Sequence, residues 1–204
     1  MNVQSTLRLP PSLLARKILC SAYVPAAFSD QDRFRFQALH AVSMITVIAR
    51  HIRSGYRLTD IERRGKGYII DLLFEAISTG RKRLDEVKSS KTIREIHRIQ
   101  AALYATLHLH TIVDEIAVSN REKDEILSSE FIDDVRRRAE ITREFLENNV
   151  EAAASRYTPH EDVCYTCANE ACPFLVRDEA FLLRNRSVVA ESFETEATRR
   201  ARVL

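Results

Sequence analysis

The chain has 204 residues, 45% of them apolar and 29% charged, with only four Gly and five Pro. So few turn formers argue against the many reversals of a β-sandwich, and the length suits one domain plus an appendage. The net charge of +2 singles out no partner, and four Cys in a chain this long do not make a secreted disulfide scaffold.

Residues 1–29 carry no acid but include Arg8, Arg16 and Lys17. The apolar stretch from Leu13 to Ala27 is broken by Arg16 and Lys17, which spoils it as an export signal. The longest apolar run, Ala38 to Ala49, contains His40, Ser43 and Thr46 and falls short of the roughly 20 residues a membrane helix needs. The expectation is a cytoplasmic protein without membrane contact.

Pro10 and Pro11 precede a short helix near residues 12–21. Ser29 then offers an N-cap, with Asp32 three residues on, and Gly55 follows the last periodic residue of a helix over about 30–54. Thr59 and Glu62 have capping-box spacing, which predicts a helix over 60–79 that Gly80 ends and that Gly65 and Gly67 weaken near its start. Residues 81–88 read as a basic helical connector. Thr92 and Glu95 predict another helix, over 91–118, and Ser128 or Ser129 caps a last one on which Phe131, Val135, Ala139 and Leu146 recur about once per turn. Four such segments predict an all-α fold, an antiparallel four-helix bundle over 29–156 with a helical arm over 1–28. The remainder, 157–204, reads as a Cys/His metal-pinned loop followed by a helix with Phe181, Leu182, Val189 and Phe193 on its apolar side.

That loop holds the sharpest chemical signal. His160, Cys164, Cys167 and Cys172 place four soft or borderline ligands within thirteen residues, and Cys-x2-Cys sets two thiolates on one side of a tight turn. A structural zinc would supply folding energy that this apolar-poor segment lacks. An iron–sulfur cluster is the alternative, with Pro173 after the third Cys and Cys20 as a distant fourth ligand; bare reduced thiols are another.

Charge is the second signal. Residues 33–98 carry 15 basic and 7 acidic side chains, whereas residues 99–176 carry 7 basic and 15 acidic. Arg50, Arg53, Arg57, Arg63, Arg64 and Lys66, joined by Arg81, Lys82 and Arg83, form a candidate surface for RNA or DNA phosphates. Alternatively the two halves pair with each other, inside the fold or across a homo-oligomer. The expected function is a non-enzymatic adaptor that contacts nucleic acid through its basic face and a protein partner elsewhere. A scaffold that binds no nucleic acid is the second reading. The third is an enzyme, either an iron–sulfur redox protein or a ribonuclease. Arg35 and His40 satisfy the Arg-x4-6-His spacing and in this resemble the HEPN ribonucleases, which implies a helical fold with that pair acting in RNA cleavage.

Overall fold

The computed structural model describes residues 9–65, 68–107, 113–149 and 157–174. It is a mixed α/β structure and not an all-α helical bundle. Helix α1 (Pro11–Leu19) and helix α2 (Asp30–Arg53) precede three strands, β1 (Tyr56–Gly65), β2 (Tyr68–Ala76) and β3 (Lys82–Val87). Helix α3 (Glu95–Leu107) leads to β4 (Glu115–Ser119) and β5 (Asp124–Ile126), and α4 (Ser129–Asn148) and the short α5 (Glu161–Cys164) follow. The sheet runs in chain order, β1 to β5, and every neighbouring pair is antiparallel except β3 and β4. Helix α3 lies in the crossover that this parallel pair requires.

Where caps and periodicity agree, the helices form as the sequence predicts. The Ser29 hydroxyl accepts from the Asp32 amide at the start of α2, and Ser128 accepts from the Phe131 amide at the start of α4. The predicted 60–79 helix and the 81–88 connector are overturned, because those residues are the first three strands. Isoleucines and aromatics between Tyr68 and Phe74 favour a pleated surface, and pairing runs directly up to Gly65 and Tyr68. Gly65 is therefore a hairpin residue: a Cβ there would sit 2.0 Å from the Tyr68 ring. Thr59, read as a cap, donates to the Leu73 carbonyl beside a register irregularity in β1. The predicted 91–118 helix divides into α3 and β4.

Helix α2 covers one part of the sheet, with Val47, Met44 and Ile48 packed among Leu72, Phe74 and Val87. The larger core gathers Leu14 of α1, Ile99 and Leu103 of α3 and Val135 of α4 with Leu84, Ile116 and Val118 of the sheet. Strand β3 is buried from Arg83 to Val87 although three of those five residues are charged. Buried charges are costly unless paired, so each of the three needs a partner or a task.

Candidate metal centre and its surroundings

Successive residues of a strand point to opposite sides, so Asp85 and Glu86 enter different environments. Asp85 is fully buried and saturated. It receives two hydrogen bonds from the Arg83 guanidinium, both at 2.9 Å, and one from the Ser119 hydroxyl. His51 Nε2 lies 3.5 Å from Asp85 and 3.7 Å from Asp124, while Arg50 pairs with Asp124 and Arg83 approaches it at 3.5 Å. Burial alone would raise the Asp85 carboxyl, but His51 and Arg83 reverse this and hold it below its ordinary range. His51, Asp85 and Asp124 offer ligand atoms mutually within 4.8 Å, a spacing open to a metal ion. Two guanidinium groups already occupy the cationic role there, which makes this an ion-pair network.

The Glu86 side is different. Glu86 is 2% exposed, and its Oε2 has no hydrogen-bond partner. Its Oε1 accepts from Lys88 Nζ, and Lys88 also donates to Gln100 Oε1 at 3.1 Å. Gln100 in turn donates to the Tyr104 hydroxyl at 3.2 Å. Asp71 of β2 accepts the Val87 amide at 2.7 Å through one oxygen and faces His40 Nε2 at 3.3 Å through the other. Burial, then the nearby Asp71 charge, push the Glu86 carboxyl up to about 7. The hydrogen bond to Asp71 raises the His40 imidazole against the effect of burial. Burial and then the Glu86 charge raise the Tyr104 phenol. Two carboxylates thus interact in a low-dielectric site with one lysine and one imidazole, and Glu86 Oε2 has no hydrogen-bond partner. A hard divalent cation is the species this deficit fits.

Four cations lie around His97 on α3, of which Lys88 pairs with Glu86 and Arg98 with Glu125, while Arg94 lies 4.0 Å from Asp162. Burial, then Lys88, Arg94, Arg16 and Arg98, depress the His97 imidazole to about 3, so it stays neutral. On the hairpin, Arg63 and Arg64 pair with Ile70 and Ile69, beside the end of the sheet where β3 delivers Lys88.

The nucleic-acid residues expected from sequence are placed as follows. Arg50 and Arg83 belong to the Asp85 network. Arg57 pairs with Glu75 at 3.0 Å, Arg63 approaches Asp60 at 3.9 Å and Arg81 pairs with Glu115 at 3.2 Å. Arg53, Arg64 and Lys82 are exposed. Lys66 lies outside the described residues, as does the C-terminal segment with Phe181, Leu182, Val189 and Phe193. Arg35 and His40 both lie on α2, but His40 is directed to Asp71 on a sheet, unlike the all-helical setting that the HEPN spacing implies.

The arm and the cysteine loop are joined. The Ala168 amide donates to the Val24 carbonyl and the Ala26 amide to the Thr166 carbonyl, and Asn169 donates to the Ala22 carbonyl at 2.8 Å. This brings Cys20 to the same cavity as Cys164, Cys167 and Cys172, among Tyr23, Tyr157 and Phe174. All four are free thiols. Among the described residues, the group of three or more such ligand atoms mutually within 4.8 Å is His51, Asp85 and Asp124, outside this loop. His160 is otherwise engaged: Nδ1 accepts the Asp162 amide at 3.1 Å, and Nε2 faces Glu95 at 3.3 Å.

The sequence reading named His40 but missed Asp71, Glu86, Lys88, Gln100 and Tyr104. Its available signal was an acid, Asp71, inside the apolar run from Tyr68 to Phe74. No family model, curated protein or solved structure matches the chain. No helix among the described residues is long and apolar enough to cross a membrane.

Proposed function

We propose that the protein is a divalent-metal-dependent nuclease whose centre is Asp71, Glu86 and Lys88. The uncompensated Oε2 of buried Glu86, facing the same region as Asp71, carries the reading. Asp71 and Glu86 supply the oxygen ligands that Mg2+ or Mn2+ prefers, and such an ion, when bound, polarises a phosphodiester and activates water. Lys88, held by Gln100, sets a positive charge beside the developing phosphorane oxygens. His40 orients Asp71. The cations around His97 and the exposed Arg64 suit a polyanionic strand, which retains nucleic acid from the sequence expectation while replacing the adaptor role with catalysis.

The cysteines form a second, structural centre in this reading. Four thiols around one cavity suit an iron–sulfur cluster bound by Cys20, Cys164, Cys167 and Cys172.

The full chain is incubated with end-labelled single- and double-stranded DNA and RNA in Mg2+, Mn2+ or EDTA. The expected result is metal-dependent cleavage that falls by about a hundredfold or more in Glu86→Gln and in Lys88→Ala. Cleavage that persists at full rate in Glu86→Gln, or none with any metal, overturns the reading. Iron and sulfide analysis after anaerobic purification tests the second centre, where zinc alone would refute the cluster.

A further inference from the structure

The cysteine loop and the Asp71–Glu86 centre are connected by α3. The first amides of a helix have no intrahelical acceptor, and at α3 no residue immediately preceding the helix fills the role at Ile96. The acceptor comes from a distant part of the chain. Asp162 of α5 is 5% exposed, and its Oδ2 accepts the Ile96 amide at 3.2 Å while Oδ1 lies 4.0 Å from Arg94 Nε. Glu95, one residue earlier, faces His160 at 3.3 Å and also pairs with Arg138 of α4 at 3.3 Å. Arg94 lies over the Tyr165 ring, 5.2 Å from its centroid. Three consecutive residues at the start of α3 are therefore held by the segment that carries Cys164 and Cys167.

Ile96, Gln100 and Tyr104 follow one another at intervals of four, on one stripe of α3. The cap sits one turn below the glutamine that holds Lys88 and two turns below the tyrosine beside Glu86.

We propose that Asp162 is a positioning residue for the metal centre: by capping α3 it sets Gln100 against Lys88 and so couples the cysteine loop to the Asp71–Glu86 site. It rests on the metal-centre reading above. Asp162 touches neither substrate nor metal, so its effect passes through helix placement. The coupling is reciprocal, so filling the cysteine site tightens cation binding at Glu86 and cation binding steadies the loop.

The test titrates Mn2+ alone into the full chain, with iron and zinc content and thermal melting recorded for each variant. Asp162→Ala is expected to weaken Mn2+ binding about fivefold or more with metal content at the cysteines unchanged, and Asp162→Asn, which can still accept from Ile96, to restore most of it. Unchanged Mn2+ affinity in a folded Asp162→Ala variant overturns the proposal. If that variant does not fold, Glu95→Gln, which weakens the outer clasp on His160 and Arg138, decides in the same way. Hydrogen exchange separates the two readings. Should the wild type bind no Mn2+ that Asp71→Asn abolishes, the metal-centre reading fails. The amides of residues 97–103 then still report the cap, with about fivefold faster exchange in Asp162→Ala expected and unchanged exchange refuting it.

Discussion

Strand β3 divides two buried ionic clusters, each with two acids, that differ in which buried polar atom goes unpaired: Glu86 Oε2 on one side, His51 Nε2 and Arg50 Nε on the other. On the Asp85 side every carboxylate oxygen meets a cation or a hydroxyl, from Arg83, Arg50, His51 and Ser119. On the Glu86 side Lys88 and His40 serve two acids and leave Oε2 unmatched. The first cluster contains the tightest set of potential metal ligands, yet its charge is already neutralised. Ligand geometry alone would favour the Asp85 cluster. The proposal rests instead on the unpaired Oε2 of Glu86, a group buried at a cost in stability.

The largest effect expected from this contrast is on stability. Arg83→Met leaves Asp85 and Asp124 without their shared guanidinium, and urea unfolding should show a loss of about 3 to 5 kcal/mol. Glu86→Gln should leave the metal-free protein at pH 8 at least as stable as wild type. A carboxyl raised to about 7 from an ordinary value of 4.5 contributes stability below pH 4.5 that disappears as pH rises through 7, so at pH 8 the charged form is a burden. Equal losses in the two variants would erase the distinction between the clusters.

Metal addition gives the next largest effect. Mn2+ at a hundred times its dissociation constant should raise unfolding stability by about 2.7 kcal/mol. Asp71→Asn should abolish the gain and His51→Gln should keep it. The reverse pattern would move the metal to the Asp85 cluster.

The smallest effect concerns His97. His97 has a folded pKa of about 3 against an ordinary 6.5, so between those values the unfolded chain binds the extra proton and stability falls as pH falls. Denaturation followed from pH 7.5 to pH 5 should show this decline, shallower in His97→Asn. An unaltered slope would mean that burial and the surrounding cations do not keep His97 neutral.

Legibility in the sequence followed the physical origin of each element. Ser29 and Ser128 marked α2 and α4 because a cap is a local hydrogen bond between neighbours in the chain. The hairpin of β1 and β2 was read as a helix because Thr59 and Glu62 imitate a capping box, although the apolar run beyond Gly67 carried the strand signal. Strand β3 was hidden more deeply. Its Arg83, Asp85 and Glu86 are polar in sequence and buried in the fold, so no alternation of apolar and polar residues announces it. The metal centre depends on that hidden strand and was missed with it. The cysteine group was visible through the spacing of Cys164, Cys167 and Cys172, and Cys20 entered as a distant candidate. What spacing could not reveal was the pairing of residues 22–26 with the loop, or that His160 caps α5.

The junction of the arm with the cysteine loop has a temporal consequence. Tyr23 and Thr166 meet across 143 residues of chain, so Cys20 leaves the ribosome well before Cys164, Cys167 and Cys172. Loop closure over such a length becomes only slowly more expensive as the loop grows, which lets the sheet and α3 assemble first. A group shared by these thiols could load only after synthesis had run past Cys172 and residues 22–26 had paired with the loop. A chain cut before Cys164 would leave Cys20 without the three thiols that share its cavity.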